Sequence, residues 1–290
     1  MTRLEPPYIF NLVVLTAILI VLKHQPAVDT LKHLAASIFY CHYYVYHDAS
    51  TINGVAWSLE VEVQFYILAP LLSMVFIVRP SAARRALIVA AAVASCLAQA
   101  AFQRPLWHGF GIWNQLHFFL VGFLLADFYL TDWKDKPRSI AGDLLGVAGW
   151  VGLAATLLCL VRPGDTVAGP VTHLCAFVCV FAAYAGAFRG TISHRIFSLP
   201  FLFLIGGMCY TVYLWHYVVI SLVGGQLLKV VHSTGNPGAD LAIYFVALFP
   251  LVVAVSAVLF VLVEKPCMKK DWPQRLLAFV TRRPAAPSAH

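Results

Sequence analysis

Long uncharged apolar stretches alternate with short polar segments along most of the chain. A helix needs about 20 apolar residues to cross a bilayer, so each long stretch is a candidate membrane span. The pattern predicts eight spans. They lie at residues 6–22, 57–78, 86–103, 112–130, 144–161, 170–188, 198–228 and 241–263. The segment 34–47 is short for a span and rich in Tyr and His, which indicates an interfacial or re-entrant piece.

The stretch 196–228 is longer than one span needs, because it carries no Asp, Glu, Lys or Arg over 33 residues. We expect it to begin or end at the membrane interface. Read as one straight helix, it places His216 about 22 Å from Phe201, at 1.5 Å per residue. That depth lies towards the outer half of the membrane.

Composition agrees with the span pattern. Hydrophobic residues make up 61% of the chain and charged residues 11%, against about 25% charged in an ordinary soluble domain. The mean hydropathy is +0.80. These values predict an all-α polytopic transmembrane helix bundle of about eight spans. They exclude disordered, collagen-like and small disulfide-rich proteins.

The net charge of +7 is explained by membrane topology, so we expect no nucleic acid partner. Most of the 20 Lys and Arg residues fall on one side of the eight spans, and such residues concentrate in cytoplasmic loops. With eight spans, both termini are therefore predicted to be cytoplasmic in a cell membrane, with the lipid bilayer as a partner. If 34–47 also spans, the N-terminus moves to the outside. The domain division is a transmembrane domain over 1–264 and a basic cytoplasmic tail over 265–290.

Four ionisable residues within the predicted spans stand out: Glu60, Glu62, His117 and His216. Ionisable groups in a membrane are costly and mark functional sites, and His can act as a general base. The topology predicts that the four converge near the outer leaflet. Structural explanations stay open, since carboxylates are favoured in the first turn of a helix and a buried His can be bonded to a neighbouring helix.

Other patterns predict structure rather than chemistry. The spacing of His42 and His47 fits no common metal site, so we predict no bound metal. Most of the seven Cys lie in apolar runs and are interpreted as packing residues. The pairs Gly206-Gly207 and Gly224-Gly225 are predicted to allow close helix packing.

The run WSLEVEVQFYILAPLL, residues 57–72, resembles the signature of the acyltransferase 3 family of integral membrane acyltransferases. Three further stretches agree in order: RLEPPY from Arg3, GGMCYTVYLWH ending at His216, and SAVLFVLVEKP, which contains Glu264. In SAVLFVLVEKP, Glu264 matches the closing Glu-x-Pro of the family. In GGMCYTVYLWH, Cys209 replaces the usual Ser. In the Trp57 run and in GGMCYTVYLWH, the residues that match the family pattern are Trp57, Ser58, Leu59, Glu62, Phe65, Tyr66, Gly207, Tyr210, Tyr213, Leu214 and His216.

The resemblance implies transfer of an acyl group, often acetyl from acetyl-CoA, onto a hydroxyl. The acceptor would be a cell-envelope carbohydrate, a lipid-linked sugar or a related molecule. Acyl-CoA is then a donor substrate, with no permanently bound cofactor. By the same resemblance Arg3 would engage the donor. Glu62 and His216 are the catalytic candidates because both are ionisable residues inside predicted spans, and Glu62 also lies in the family run.

Family members typically have ten spans, and the first carries an Arg and the presumed catalytic His. This chain begins after that region, so we expect the first two spans to be absent and this form to be inactive or weakly active. Two other hypotheses remain. One is a proton-coupled transporter that uses Glu62 and His216 in a proton relay. The other is a non-catalytic membrane subunit.

Overall fold

The structure, a computed structural model, describes residues 4–101, 111–160, 169–230 and 234–269, together with 272 and 274. Within these residues the regular elements are helices, and no strand is formed. The helices are α1 (Glu5–Val21), α2 (Ala27–Ile38), α3 (His42–Tyr46), α4 (Trp57–Leu72), α5 (Ser81–Ala101), α6 (Ile112–Phe128), α7 (Ile140–Leu160), α8 (Gly169–Arg189), α9 (Thr191–Phe197), α10 (Pro200–Gly207), α11 (Cys209–Val230), α12 (Pro237–Leu259) and α13 (Lys265–Cys267). A 3₁₀ turn extends α4 over Ser73–Ile77, and π-helical turns extend α6 over Tyr129–Trp133 and α12 over Phe260–Glu264.

Six helical segments in the described part of the chain are long and apolar enough to cross a membrane. They are Trp57–Ile77, Ser81–Ala98, Ile112–Trp133, Ile140–Leu158, Gly169–Arg189 and Gly238–Cys267. The pair α10–α11 adds a seventh if it forms one bent span, and α1 is a shorter apolar helix. The prediction of an all-α polytopic bundle is confirmed, and the protein is a multi-pass membrane protein.

The segment 34–47 does not form a continuous helix. It contains the end of α2 and all of α3, with a break between them at residues 39–41. Tyr40 has a positive φ of 55°, a conformation that ends a helix. Neither α2 nor α3 is long enough to span, which agrees with an interfacial or re-entrant piece.

The stretch 198–228 is broken, and the straight helix assumed from sequence is wrong. The axes of α10 and α11 differ by 77°, with Met208 between them. Gly206 and Gly207 are poor helix formers and end α10 at this point. His216 is therefore only seven residues into its own helix, about 10 Å from the start of α11, so the 22 Å depth no longer holds.

The described chain forms two compact units that interleave along the sequence. The first unit contains residues 1–39, 50–56 and 204–290, and the second contains 40–49 and 57–203. In the first unit α1 packs on α2 and α11, and α11 packs on α12. In the second unit α5, α6 and α8 enclose an apolar core around Ile88, Leu120 and Phe177.

Small residues bring α7 and α8 of the second unit into backbone contact. A Cβ on Gly149 would collide with the backbone of Ala183, and one on Gly186 would collide with the backbone of Gly146. Such small-residue seams hold helices together where lipid removes the hydrophobic driving force. The predicted packing role of Gly206-Gly207 and Gly224-Gly225 is wrong within the described residues, where a Cβ at each position would meet no neighbouring helix within 4 Å.

Gly149→Ala is expected to destabilise the protein by about 1–3 kcal/mol, because the added methyl group forces α7 away from α8. The matched control is Gly122→Ala on α6, where a Cβ meets nothing within 4 Å. The control should be neutral or slightly stabilising, since Ala is the better helix former. Thermal unfolding in detergent would measure both, and equal melting temperatures for the two variants would contradict the close contact.

Candidate active site

The Trp57 run forms α4, and its two carboxylates occupy different environments. Glu60 is only 1% exposed, and its Oε2 accepts a hydrogen bond from the backbone N–H of Tyr43 at 3.2 Å. Glu62, two residues later, is half-buried and accepts a hydrogen bond from the exposed hydroxyl of Tyr66. The difference follows from helix geometry, since residues two apart point to opposite sides.

Gln64 links α4 to α3 and to the start of α6. Its Oε1 accepts hydrogen bonds from the Tyr44 hydroxyl at 3.0 Å and from the backbone N–H of Ile112 at 3.2 Å. Burial raises the pKa of the Tyr44 hydroxyl above its usual value, and the charge of Glu60 acts in the same direction. Tyr44 therefore stays protonated and remains a donor at neutral pH.

Three residues of the run, Phe65, Tyr66 and Ala69, line an apolar groove in the second unit. Phe65 stacks on Phe119 with ring centroids 4.1 Å apart. Phe65, Tyr66 and aromatic side chains of α6 line a cavity of about 570 Å³ between α4 and α6. Trp57 and Ser58 are half-buried at the first turn of α4. Glu62 is thus held beside this groove through its bond with Tyr66.

His117 is fully buried on α6 and pairs with another histidine. Its Nε2 lies 3.2 Å from Nδ1 of His173 on α8, and the rings are nearly perpendicular. Its Nδ1 has no hydrogen-bond partner among the described residues. No group of three or more metal-ligating side chains is formed in the described part of the chain, and the histidine pair has the geometry of a helix–helix contact.

His216 on α11 in the first unit has one ring nitrogen occupied and one available. Its Nδ1 lies 2.7 Å from the carbonyl oxygen of Tyr213 and 3.2 Å from that of Val212. Carbonyl oxygens only accept, so Nδ1 must carry the proton, and Nε2 keeps its lone pair in the neutral ring. Nε2 has no hydrogen-bond partner among the described residues, and the side chain is half-buried. A neutral imidazole in this tautomer can accept a proton at Nε2.

The remaining motif residues of the first unit tie α11 to its neighbours. The Tyr210 hydroxyl donates to the carbonyl of Leu4 at 2.8 Å, and the Tyr213 hydroxyl donates to the carbonyl of Val55. Glu264 is fully buried and accepts a hydrogen bond from the Thr211 hydroxyl at 2.6 Å. These three residues fix the helix that carries His216. Arg3 lies outside the described residues.

The four ionisable residues that were predicted to converge fall in two different units of the structure. Glu60, Glu62 and His117 share the second unit, yet each bonds to a different partner. No hydrogen bond joins any two of the three among the described residues. His216 belongs to the first unit, so its convergence with the others stays a prediction.

Besides His173, the partner of His117, two polar groups inside spans were missed by the sequence reasoning. Asn11 of α1 is buried and bonds to α11 and to Asn53. Asp127 of α6 is buried and forms ion pairs with Arg84 and Arg85 of α5. Both lie in apolar runs. The sequence signal was present, since any strongly polar residue within a span needs a partner.

Comparison with known proteins identifies related sequences along almost the whole chain. A family model described as an acyltransferase domain matches residues 1–261. O-acetyltransferase OatA of Staphylococcus aureus strain NCTC 8325 is 22% identical over 300 residues, which cover 97% of this chain and 48% of that protein. A putative O-acetyltransferase of S. aureus strain COL is 24% identical over 240 residues, covering 76% of this chain and 40% of that protein.

The chain thus spans about half the length, or less, of these curated relatives. No solved structure matches it. The family match covers the helices that carry Glu62 and His216 as well as the helix that ends near Glu264. This protein belongs to the acyltransferase family of integral membrane enzymes that the Trp57 run resembles.

Proposed function

We propose that the protein is a membrane O-acetyltransferase that moves an acetyl group from acyl-CoA to a hydroxyl of a cell-envelope carbohydrate. The observation that carries this proposal is the family match over residues 1–261, together with relatives that are named O-acetyltransferases. The available Nε2 of His216 in the first unit is an acid–base group of the kind that such a transfer needs, and the half-buried carboxylate of Glu62 in the second unit is a separate candidate.

In the proposed reaction His216 Nε2 takes the proton of the acceptor hydroxyl, and the oxygen attacks the thioester carbonyl. A new C–O bond forms, the C–S bond breaks, and the CoA thiolate leaves and is protonated. The Nδ1 bond to Tyr213 holds the ring in the tautomer that can accept this proton.

The groove beside Glu62 supports a lipid-linked form of the acceptor. Its lining is almost entirely aromatic and apolar, as an isoprenoid or acyl tail requires. A tail in the groove would bring its attached headgroup near the Tyr66 hydroxyl. The donor is proposed to be acetyl-CoA from the cytoplasm, with Arg3 contacting its phosphates.

Both termini are proposed to be cytoplasmic in the cell membrane. Single cysteines placed at the exposed positions Arg79 and Lys269 in a cysteine-free background are expected to resist membrane-impermeant thiol reagents in intact cells. They should react after the cells are permeabilised. Labelling of either position from outside would reverse the proposed orientation.

The function is tested by reconstituting the purified protein in nanodiscs with acetyl-CoA and a panel of envelope glycans. Release of CoA thiol and mass increase of a glycan by one acetyl group are measured together. The 290-residue chain and an upstream-extended form are assayed in parallel, which also tests the expectation of weak activity. Absence of acetyl transfer in both forms would refute the proposal.

A further inference from the structure

A short loop of the first unit, residues 50–56, contacts the turn of α11 that carries His216. We propose that Asn53 of this loop, together with Asn11 of α1, is a positioning residue for His216. This inference rests on the proposed function, because it assigns to the two amides the task of aiming the base. Neither residue belongs to the sequence motifs described above.

Both amides converge on one backbone atom. Asn53 Nδ2 donates to the carbonyl oxygen of Leu214 at 3.1 Å, and Asn11 Nδ2 donates to the same oxygen at 3.3 Å. Asn53 Nδ2 also donates to Asn11 Oδ1 at 2.8 Å, which couples the two side chains. Asn11, Asn53 and Leu214 are each at most 1% exposed, so the cluster is closed to solvent.

The orientation of the amides is fixed by their partners. A carbonyl oxygen can only accept, so both Nδ2 atoms must face Leu214. On the other side of Asn53, its Oδ1 accepts from the backbone N–H of Val55 at 3.4 Å, within the loop. The loop and α1 are therefore joined to α11 by donors that an acid or an apolar side chain could not replace.

The neighbouring residue of α11 is held by the same loop. The Tyr213 hydroxyl donates to the carbonyl of Val55, and the Tyr213 carbonyl accepts the Nδ1 proton of His216 at 2.7 Å. Two successive residues of the helix, Tyr213 and Leu214, are thus bonded to the loop, and the first of them bonds to His216. A rotation of this turn would redirect the ring and its free Nε2.

This contact has a catalytic consequence that a simple packing role would not have. Misplacement of a reacting group by about 1 Å can lower the rate by about 10²-fold. We therefore expect Asn53→Asp to lower kcat by about 10–100-fold, with the KM of acetyl-CoA unchanged. The Asp side chain keeps the size of Asn but loses the Nδ2 donors that bind Leu214.

The experiment uses the purified protein in nanodiscs, in whichever form turns over acetyl-CoA, and follows CoA thiol release. Asn53→Asp and Asn11→Asp are measured in the wild-type background and in the His216→Ala background. The matched control is Asn236→Asp at the exposed start of α12, where the side chain only accepts hydrogen bonds from Gly238 and Ala239. The control should keep wild-type kcat.

Tyr213→Phe provides a second variant if the Asp substitutions fail to fold, since it removes only the hydroxyl that reaches Val55.

Positioning through His216 predicts that the loss in kcat seen with Asn53→Asp disappears in the His216→Ala background. The same fold loss in both backgrounds, or wild-type kcat in every variant, would overturn the inference. Failure of the wild-type protein to release CoA thiol would instead refute the proposed function, and the two failures are therefore distinguishable.

Discussion

Glu62→Gln is expected to reduce acetyl transfer by at least about 10²-fold while the protein remains folded, because acid–base and orienting groups contribute about 10²–10⁴-fold. Glu62 is half-buried, and Gln can still accept the hydrogen bond from Tyr66. The substitution therefore removes the charge and the basic oxygen without opening a cavity. Acetyl transfer in nanodiscs and the melting temperature should be measured on the same preparation.

The control for this prediction is Glu60→Gln on the same helix. Glu60 is buried against the backbone of Tyr43, and Gln keeps an acceptor for that N–H. We expect a smaller effect on transfer than at Glu62. The opposite ranking, with Glu60→Gln inactive and Glu62→Gln active, would move the functional role to the buried carboxylate.

Asp127→Asn is expected to destabilise the protein by about 3–5 kcal/mol, since removing one partner of a buried ion pair leaves the charge of Arg84 uncompensated. The Asp127 side chain has no exposed surface. It binds Arg84 through Oδ1 and Arg85 through Oδ2, the latter at 2.6 Å. The substitution leaves two arginines of α5 facing a neutral amide, so the contact between α5 and α6 should weaken.

Asp132→Asn provides the comparison for Asp127. Asp132 binds the same Arg85 at 2.5 Å, but its side chain is 38% exposed. A partly exposed pair contributes about 0–1 kcal/mol, so this variant should melt close to wild type. Thermal or denaturant unfolding in detergent measures both. Equal melting temperatures for Asp127→Asn and wild type would contradict the assigned role of the buried cluster.

Sequence alone predicted much of this protein. The charge-poor apolar runs predicted a helical membrane bundle, since lipid leaves backbone groups no partners except within helices or closed barrels. The runs at 57–78, 112–130 and 170–188 agree closely with helices of the structure. The Trp57 run and the segment ending at His216 indicated the acyltransferase family, which the comparisons confirm. The roles of Glu62, His216 and Arg3 stay predictions.

Helix breaks could not be read from hydropathy. The 33-residue apolar stretch looked like one long span, because hydropathy averages over a window and does not register a bend. The pair Gly206-Gly207 was interpreted as a packing motif, whereas in the structure it ends α10. A glycine pair serves either purpose, and only the position of the neighbouring helices decides between them.

What the sequence by itself determined is therefore the class of fold, the family and the candidate polar residues, because these depend on local composition and on motifs within short runs. Tertiary structure decided which polar residue meets which. It buried Glu60 rather than Glu62, paired Asp127 with Arg84 and Arg85, and joined Asn11 to Asn53 across 42 residues. Such partnerships form between distant segments, and their distances in space are not encoded in the pattern of any single span.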